Sequence, residues 1–393
     1  MALGVVLHAA APYLQQSMPG LQWAVAGPAA GWPGVAWLDG LYWWLHAWRV
    51  PLFFVLAGFF AMLLASRRGV ASFLDHRNRR VLLPLLLSCA VILPVSYFAF
   101  AWGWVRSDWA TWDEVLRLSL GEGGGEREGE GVRRDDVMGP AHLWFLEYLY
   151  LLSVLFAAGL WGLHRWGRRT GTRREDREYP PVRRWFVGLA GVWAVSAGLV
   201  AVQPEIACRF ANSFVPRPLE FAYHGWFFLV GAALYARRGM LDSLARAAVP
   251  LGFMAVVVGA VAAWMTLPRV AMCHAGGEAA ANADVLGNLV YAAAWAGAAW
   301  LTIAALLAAA VRWLARPRPV VRWLSDSAYW VYLAHVPIVA VIHVALSDSV
   351  WPAWARFLAA IAGGVTATLM TYRYMVRYSW LGVGLHGPRG TAS

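Results

Sequence analysis

The sequence predicts an all-α integral membrane protein, a polytopic bundle of about ten transmembrane helices with both termini in the cytoplasm. Three observations lead there. Of 393 residues, 60% are hydrophobic and only 14% charged, whereas a soluble domain carries about 25% charged residues. The apolar residues come in blocks close to the ~20 residues that cross a hydrocarbon core. The arginines gather in alternate connections between those blocks, which is the cytoplasmic pattern of the positive-inside rule.

In chain order the blocks fall at about 1–18, 41–65, 81–104, 142–163, 184–202, 218–236, 247–267, 285–313, 327–347 and 353–375. The loop at 66–80 holds Arg67, Arg68, Arg77, Arg79 and Arg80. The basic loop 164–183, then Arg237, Arg238 and Arg246, then Arg312, Arg316, Arg318 and Arg322, complete the cytoplasmic set. The connections 19–40, 104–141, 203–217, 268–284 and 348–352 face outward. We expect one membrane domain over 1–393, interrupted by a flexible extracytoplasmic insertion at about 105–141 whose GEGGGEREGEG tract has almost nothing to bury. No cleavable signal peptide is visible, and the chain begins inside an apolar run.

Composition also excludes several functions. A net charge of +11 has a topological explanation here, so nucleic acid is not an expected partner. Three cysteines without CxxC spacing give no metal signature. Cys208 and Cys273 occupy two outward connections, where they form either a bridge or two separate thiols; Cys89 lies within the third block and reads as packing. No Gly-rich phosphate loop, HExxH or GxSxG occurs, so any chemistry rests on polar groups within the spans.

Such groups are costly in hydrocarbon and usually face the bundle interior. Counting residues along each block at 1.5 Å per residue sorts them into three layers. An outer layer holds His46 and Arg49, His142 and Glu147, Glu220 and His224, and His343. Arg49 and Glu147 are the obvious ion pair. Pro51 frees the Ala47 carbonyl, and Gly58 allows a neighbouring helix to approach closely. A middle layer holds His8 and His335, each readable as a general base or as a hydrogen bond between helices. An inner layer is FLDHRNRRVLLP, where Arg77, Arg79 and Arg80 suit phosphate oxygens and serve equally well as topology determinants.

Together these stretches resemble the membrane acyltransferase family 3. GVVLHAAAPY is similar to the family's first span with its catalytic His, here His8. HAWRVPLFFVLAGFF, residues 46–60, resembles the signature of the branch that succinylates osmoregulated periplasmic glucans. RNRRVLLP resembles the family's R-x-x-R motif through Arg77 and Arg80, and HLWFLEYLY and SAYWVYLAHVPIV add further similarity. The family pattern also has an arginine upstream of the first-span His, at a place that falls before Met1. The short first block leads us to expect a true start further upstream; the other reading is a copy that lacks this group.

The resemblance implies transfer of an acyl group, acetyl or succinyl, from cytoplasmic acyl-CoA to a hydroxyl of a glycan or other cell-envelope acceptor, in the inner membrane. It implies no tightly bound cofactor, since acyl-CoA is a donor substrate. Besides the lipid bilayer, its partners would be acyl-CoA and the acceptor; oligomeric state is not addressed by the sequence. The implied catalytic residues are His8, Arg49, Glu147 and His335. Arg77, Arg79 and Arg80 would hold the CoA phosphates, and His46, Glu220 and His224 the acceptor. A transporter of a small anionic or sugar-like solute is the main alternative, but no pair of related halves is visible.

Overall fold

The computed structural model describes residues 2–14, 23–25, 34–120, 139–170, 182–208, 212–275, 285–314, 316, 318–379 and 382–383. Among the described residues every regular element is a helix or a short helical turn. In chain order they are α1 (Ala2–Ala10), α2 (Trp37–Arg68), α3 (Val70–Arg77), α4 (Leu83–Ala90), α5 (Ile92–Arg106), α6 (Trp112–Leu120), α7 (Trp144–Thr170) and α8 (Val182–Val202). Then come α9 (Glu205–Cys208), α10 (Pro218–Ala236), α11 (Met240–Arg246), α12 (Ala248–Ala275), α13 (Val285–Trp313), α14 (Pro319–Ala345) and α15 (Ala353–Thr371).

Each of the ten expected apolar blocks contains a helix, but length and hydropathy single out fewer. Among the described residues, 7 helical stretches are long and apolar enough to cross a membrane: Trp37–Arg68, Val70–Arg106, Ala141–Arg165, Ala248–Val270, Val285–Trp313, Pro319–Ala345 and Ala353–Val376. Leu3–Tyr13 and Gly188–Val202 are apolar but shorter. In α10, Glu220 and His224 dilute the hydropathy of the first turns.

Two connections read from sequence as loops contain helix among their described residues. Between α2 and α3 the chain turns at Gly69 alone, at φ 82°, a left-handed conformation that costs glycine little. From Val70 it stays helical through a π turn at Asn78–Leu82 into α4 and α5, so most of the basic 66–80 segment is helix. The 105–141 insertion contains α6, which begins at a reciprocal cap. The Thr111 N–H donates to Glu114 at 2.8 Å and the Glu114 N–H to the Thr111 hydroxyl at 3.2 Å, the capping-box arrangement. The Gly/Glu tract lies outside the described residues, as do the side chains of Cys208 and Cys273 and hence their pairing. Cys89 is a free thiol.

The bundle is pinned where small residues let backbones touch. At the crossing of α2 with α10, a Cβ on Gly58 would lie 1.8 Å from the Phe228 carbonyl oxygen, and one on Gly231 would lie 2.0 Å from that of Val55. The close approach expected at Gly58 is therefore reciprocal, each helix supplying one glycine. On the other side α14 packs against α1, α5 and α15. The first helix also touches α2 and α15, and α14 carries half of the polar centre.

Candidate active site

Three prolines shape this region, because a proline within a helix removes the N–H that would bind the carbonyl four residues earlier. In membrane helices a neighbour must take up such a carbonyl. Pro337 in α14 leaves the Leu333 carbonyl, and His142 Nε2–H donates to it at 3.0 Å. Pro84 leaves the Arg80 carbonyl beside the π turn, and the Tyr329 hydroxyl donates to it at 3.0 Å. Pro51 sits within α2, which runs unbroken past it.

His142 lies in a 3₁₀ turn, Ala141–Leu143, just before α7. The Tyr332 hydroxyl returns a bond to its backbone carbonyl at 2.7 Å, so α14 clasps this turn from two successive residues. With Nε2 committed as donor, the His142 Nδ1 lone pair is enclosed without a partner.

His335 is 2% exposed. Its Nδ1 lies 2.7 Å from the Tyr332 carbonyl and 3.0 Å from that of Val331. Only an N–H suits two carbonyl oxygens, so the neutral ring carries its proton on Nδ1 and presents Nε2 as acceptor. That nitrogen lies 3.0 Å from His8 Nδ1, which is also 2.9 Å from the Gly4 carbonyl. Two acceptors again require a donor between them. His8 therefore carries its proton on Nδ1 and has Nε2 free as an acceptor with no partner among the described residues.

Arg49 completes the group. An ideal Cβ on Gly4 would be 3.3 Å from His335 Nε2 and 3.4 Å from Arg49 Nη1, so the guanidinium and the imidazoles crowd one glycine. Gly4, His8, Arg49, Val50, Phe53, His142, Trp144, Phe145, Tyr332 and His335 line a cavity of about 40 Å³. Arg49 forms no ion pair among the described residues, and its Nε is enclosed without a partner. A partly buried guanidinium with no carboxylate is costly, and it offers a ready donor for negative charge that develops beside it.

The inner arginines divide. Arg77 is 9% exposed, lies over the Phe73 ring at 5.2 Å and has an enclosed, unpartnered Nε. Arg80 is half-buried beside Tyr329. Arg79 points the other way, into an exposed pair with Asp75 at 3.1 Å, and so does not join them. Tyr329 and Tyr332 stack at 6.4 Å. Six residues separate Tyr329 from His335, an axial step of about 9 Å at 1.5 Å per residue. The two tyrosines thus stand in file between the arginine pair and the histidines.

Other expected site residues lie apart. Glu147 does not meet Arg49: it follows Phe145 by about 200° of helical rotation, and Phe145 already faces α2 and Tyr332. Glu147 is instead within electrostatic range of Cys89 on α4. His46 stacks near Tyr42 and approaches Trp295 on α13. His224 rests on Phe54 at 4.9 Å and behind Trp144 at 5.2 Å. Glu220 pairs with Arg217 at 3.4 Å. None of these three lines the cavity. His343 is buried against Tyr13 and Trp23.

Counting depth from block ends put Arg49 and His142 one layer above His8 and His335, yet the four meet, because such counting ignores helix tilt. Tyr332 was not singled out in the sequence. Its signal was the i, i+3, i+6 spacing of Tyr329, Tyr332 and His335.

A family model described as an acyltransferase domain, of the acyltransferase 3 type, matches residues 1–373. No curated protein and no solved structure gives a significant match.

Proposed function

We propose, from the premise that this chain belongs to the acyltransferase 3 family, that it is a multi-pass enzyme of the cytoplasmic membrane moving an acetyl or succinyl group from acyl-CoA to a hydroxyl of a glycan or other envelope acceptor. Acyl transfer itself comes with the family, which covers nearly the whole chain. Donor, acceptor, site roles, a ten-span single domain and cytoplasmic termini belong to our reading. The observation that carries the site is the contact of His8 Nδ1 with His335 Nε2 beside Arg49 on one cavity.

In this reading the backbone of α14 sets the proton on His335, His335 and Gly4 set it on His8 Nδ1, and His8 Nε2 becomes the base. It takes the proton of the acceptor hydroxyl as that oxygen bonds to the thioester carbonyl carbon. Arg49 stabilises the oxyanion formed there. As the carbon–sulfur bond breaks, the thiolate of CoA leaves and receives the proton held by His8, so the ring returns to its starting state. Arg77 and Arg80 would bind donor phosphates, a role for which guanidiniums suit. The two unsatisfied arginines, Arg49 and Arg77, support this assignment because among the described residues each lacks an anion that a substrate would bring.

The test is transfer from labelled acyl-CoA in membranes that hold the intact chain or its His8→Ala version. Loss of transfer at equal expression is expected. Undiminished transfer would remove His8 from the mechanism, and solute flux without dependence on acyl-CoA would replace the enzyme by a transporter.

A further inference from the structure

A second cavity, of about 610 Å³, lies far from the histidines and is lined by Trp323, Arg373, Tyr374, Arg377 and Tyr378. Trp323 comes from the first turns of α14. The other four come from the π turn Tyr372–Val376, which follows α15, and the residues just after it. The Arg377 N–H donates to the Tyr372 carbonyl at 2.7 Å, five residues back, as the wider π turn requires. In such a turn residues four apart sit nearly above one another, so Arg373 aligns with Arg377 and Tyr374 with Tyr378. Arginine Cζ lies 5.5 Å from the neighbouring ring at Tyr374 and 5.3 Å at Tyr378.

The helix dipole at the end of α15 favours cations there, which accounts for arginines in this turn but not for a cavity between them. Three further facts point to an anion. Among the described residues no carboxylate lines the cavity. Arg377 Nε is enclosed without a partner. The site lies at the end of the apolar stretch Ala353–Val376, where Tyr374 and Tyr378, each 74% exposed, stand where aromatic side chains meet lipid headgroups.

The acyl donor is a poor fit for this place. Trp323 is twelve residues from His335 along α14, about 18 Å away at 1.5 Å per residue. It also faces a different way. Trp330, about one-twentieth of a turn from Trp323 in projection, donates to the Thr371 hydroxyl of α15 at 2.9 Å. Tyr332, half a turn round, bonds the His142 turn. The cavity therefore opens on the α15 side of α14, while His335 lies about a third of a turn and Tyr332 about half a turn away from Trp323.

We propose that this cavity binds a phosphate group at the membrane surface, supplied by the headgroup of an anionic phospholipid. The inference does not depend on acyl transfer. It can be tested on the purified full chain by measuring thermal stability with added phosphatidylglycerol or phosphatidylcholine. Alongside, the acyl-CoA KM of the same samples is measured. Phosphatidylglycerol is expected to raise Tm above phosphatidylcholine in the wild type, and Arg373→Gln with Arg377→Gln should abolish that increment while leaving KM unchanged. Arg377→Gln alone serves if the double variant does not fold, and should reduce the increment. An increment that survives the substitutions, or none in the wild type, would overturn the proposal and make these arginines topology determinants only. A raised KM with no lipid effect would overturn it in favour of the donor's nucleotide phosphates.

Discussion

His8 and His335 stand 327 residues apart in the chain, and their ring nitrogens meet at 3.0 Å. The contact has a direction, because the Val331 and Tyr332 carbonyls hold the His335 proton on the far nitrogen. His335 is thus a positioning residue in the proposed mechanism, and the two histidines should fail differently. His8→Ala should reduce turnover roughly 100- to 10,000-fold, the range of a positioned general base. His335→Ala should reduce it less, lower kcat rather than raise KM for acyl-CoA, and change the pH–rate profile. A purely structural role for His335 would lower the yield of folded protein and leave that profile unchanged.

The inner arginines should separate in steady-state kinetics. Arg77→Ala and Arg80→Ala should raise the KM for acyl-CoA with little change in kcat, as expected for loss of uniform binding. Arg79→Ala should leave both constants as they were, since its side chain is exposed and engaged with Asp75. Equal effects at all three positions would contradict a directed phosphate site.

Arg49 and Glu147 should behave as independent residues. Arg49→Ala is expected to lower kcat by removing a donor to the oxyanion, and adding Glu147→Ala should not restore it. A double-mutant cycle measures this directly, with residues that share no contact adding to within about 0.3–0.5 kcal/mol. A clear rescue would mean that the two side chains pair after all.

Gly58→Ala should destabilise the bundle without touching the site, because the new methyl group would collide with the Phe228 carbonyl. Overpacking of this kind costs about 1–3 kcal/mol, and here the obstacle is backbone, which yields poorly. The readout is Tm in detergent; Gly231→Ala, at the same crossing, should match it. Gly159→Ala, with nothing within 4 Å of its Cβ, is the control.

At the opposite end from Arg77, Arg106 at the end of α5 pairs with Asp348 after α14. The hydrogen bond and charge of Arg106 hold the Asp348 carboxyl below its ordinary range. A depressed carboxylate contributes stability above its unfolded value, about 3.9, and loses it as pH falls through the lower folded value. Any benefit from the pair is therefore present at neutral pH and lost only in acid. Carboxyl NMR titration should show the Asp348 midpoint rising towards the ordinary range in Arg106→Ala. An unmoved midpoint would mean the pair does not form in solution.

Much was legible in the sequence because it depends on composition and local spacing. Long apolar blocks must be helices where backbone groups have no water to bind, and a helix lies in each of the ten blocks. Pro51 announced a carbonyl without an intrahelical partner, and Gly58 announced a close crossing; Pro84 and Pro337 carry the same signal but were not singled out. The family resemblance carried by His8, Arg77 and Arg80 agrees with the match over residues 1–373. What local spacing could not supply was which group takes each freed carbonyl. His142 takes that of Leu333, and Tyr329 takes that of Arg80.

The tertiary structure alone decided which polar residues share a site. It set Arg49 beside His8 and left Glu147 facing α4, it turned Arg79 away from Arg77, and it placed His46, His224 and Glu220 outside the cavity. The physical reason is that a residue's height and heading depend on helix tilt and rotation. Those are fixed by packing against neighbours such as Gly58 on Phe228, contacts made between segments far apart in the chain, as His8 and His335 are.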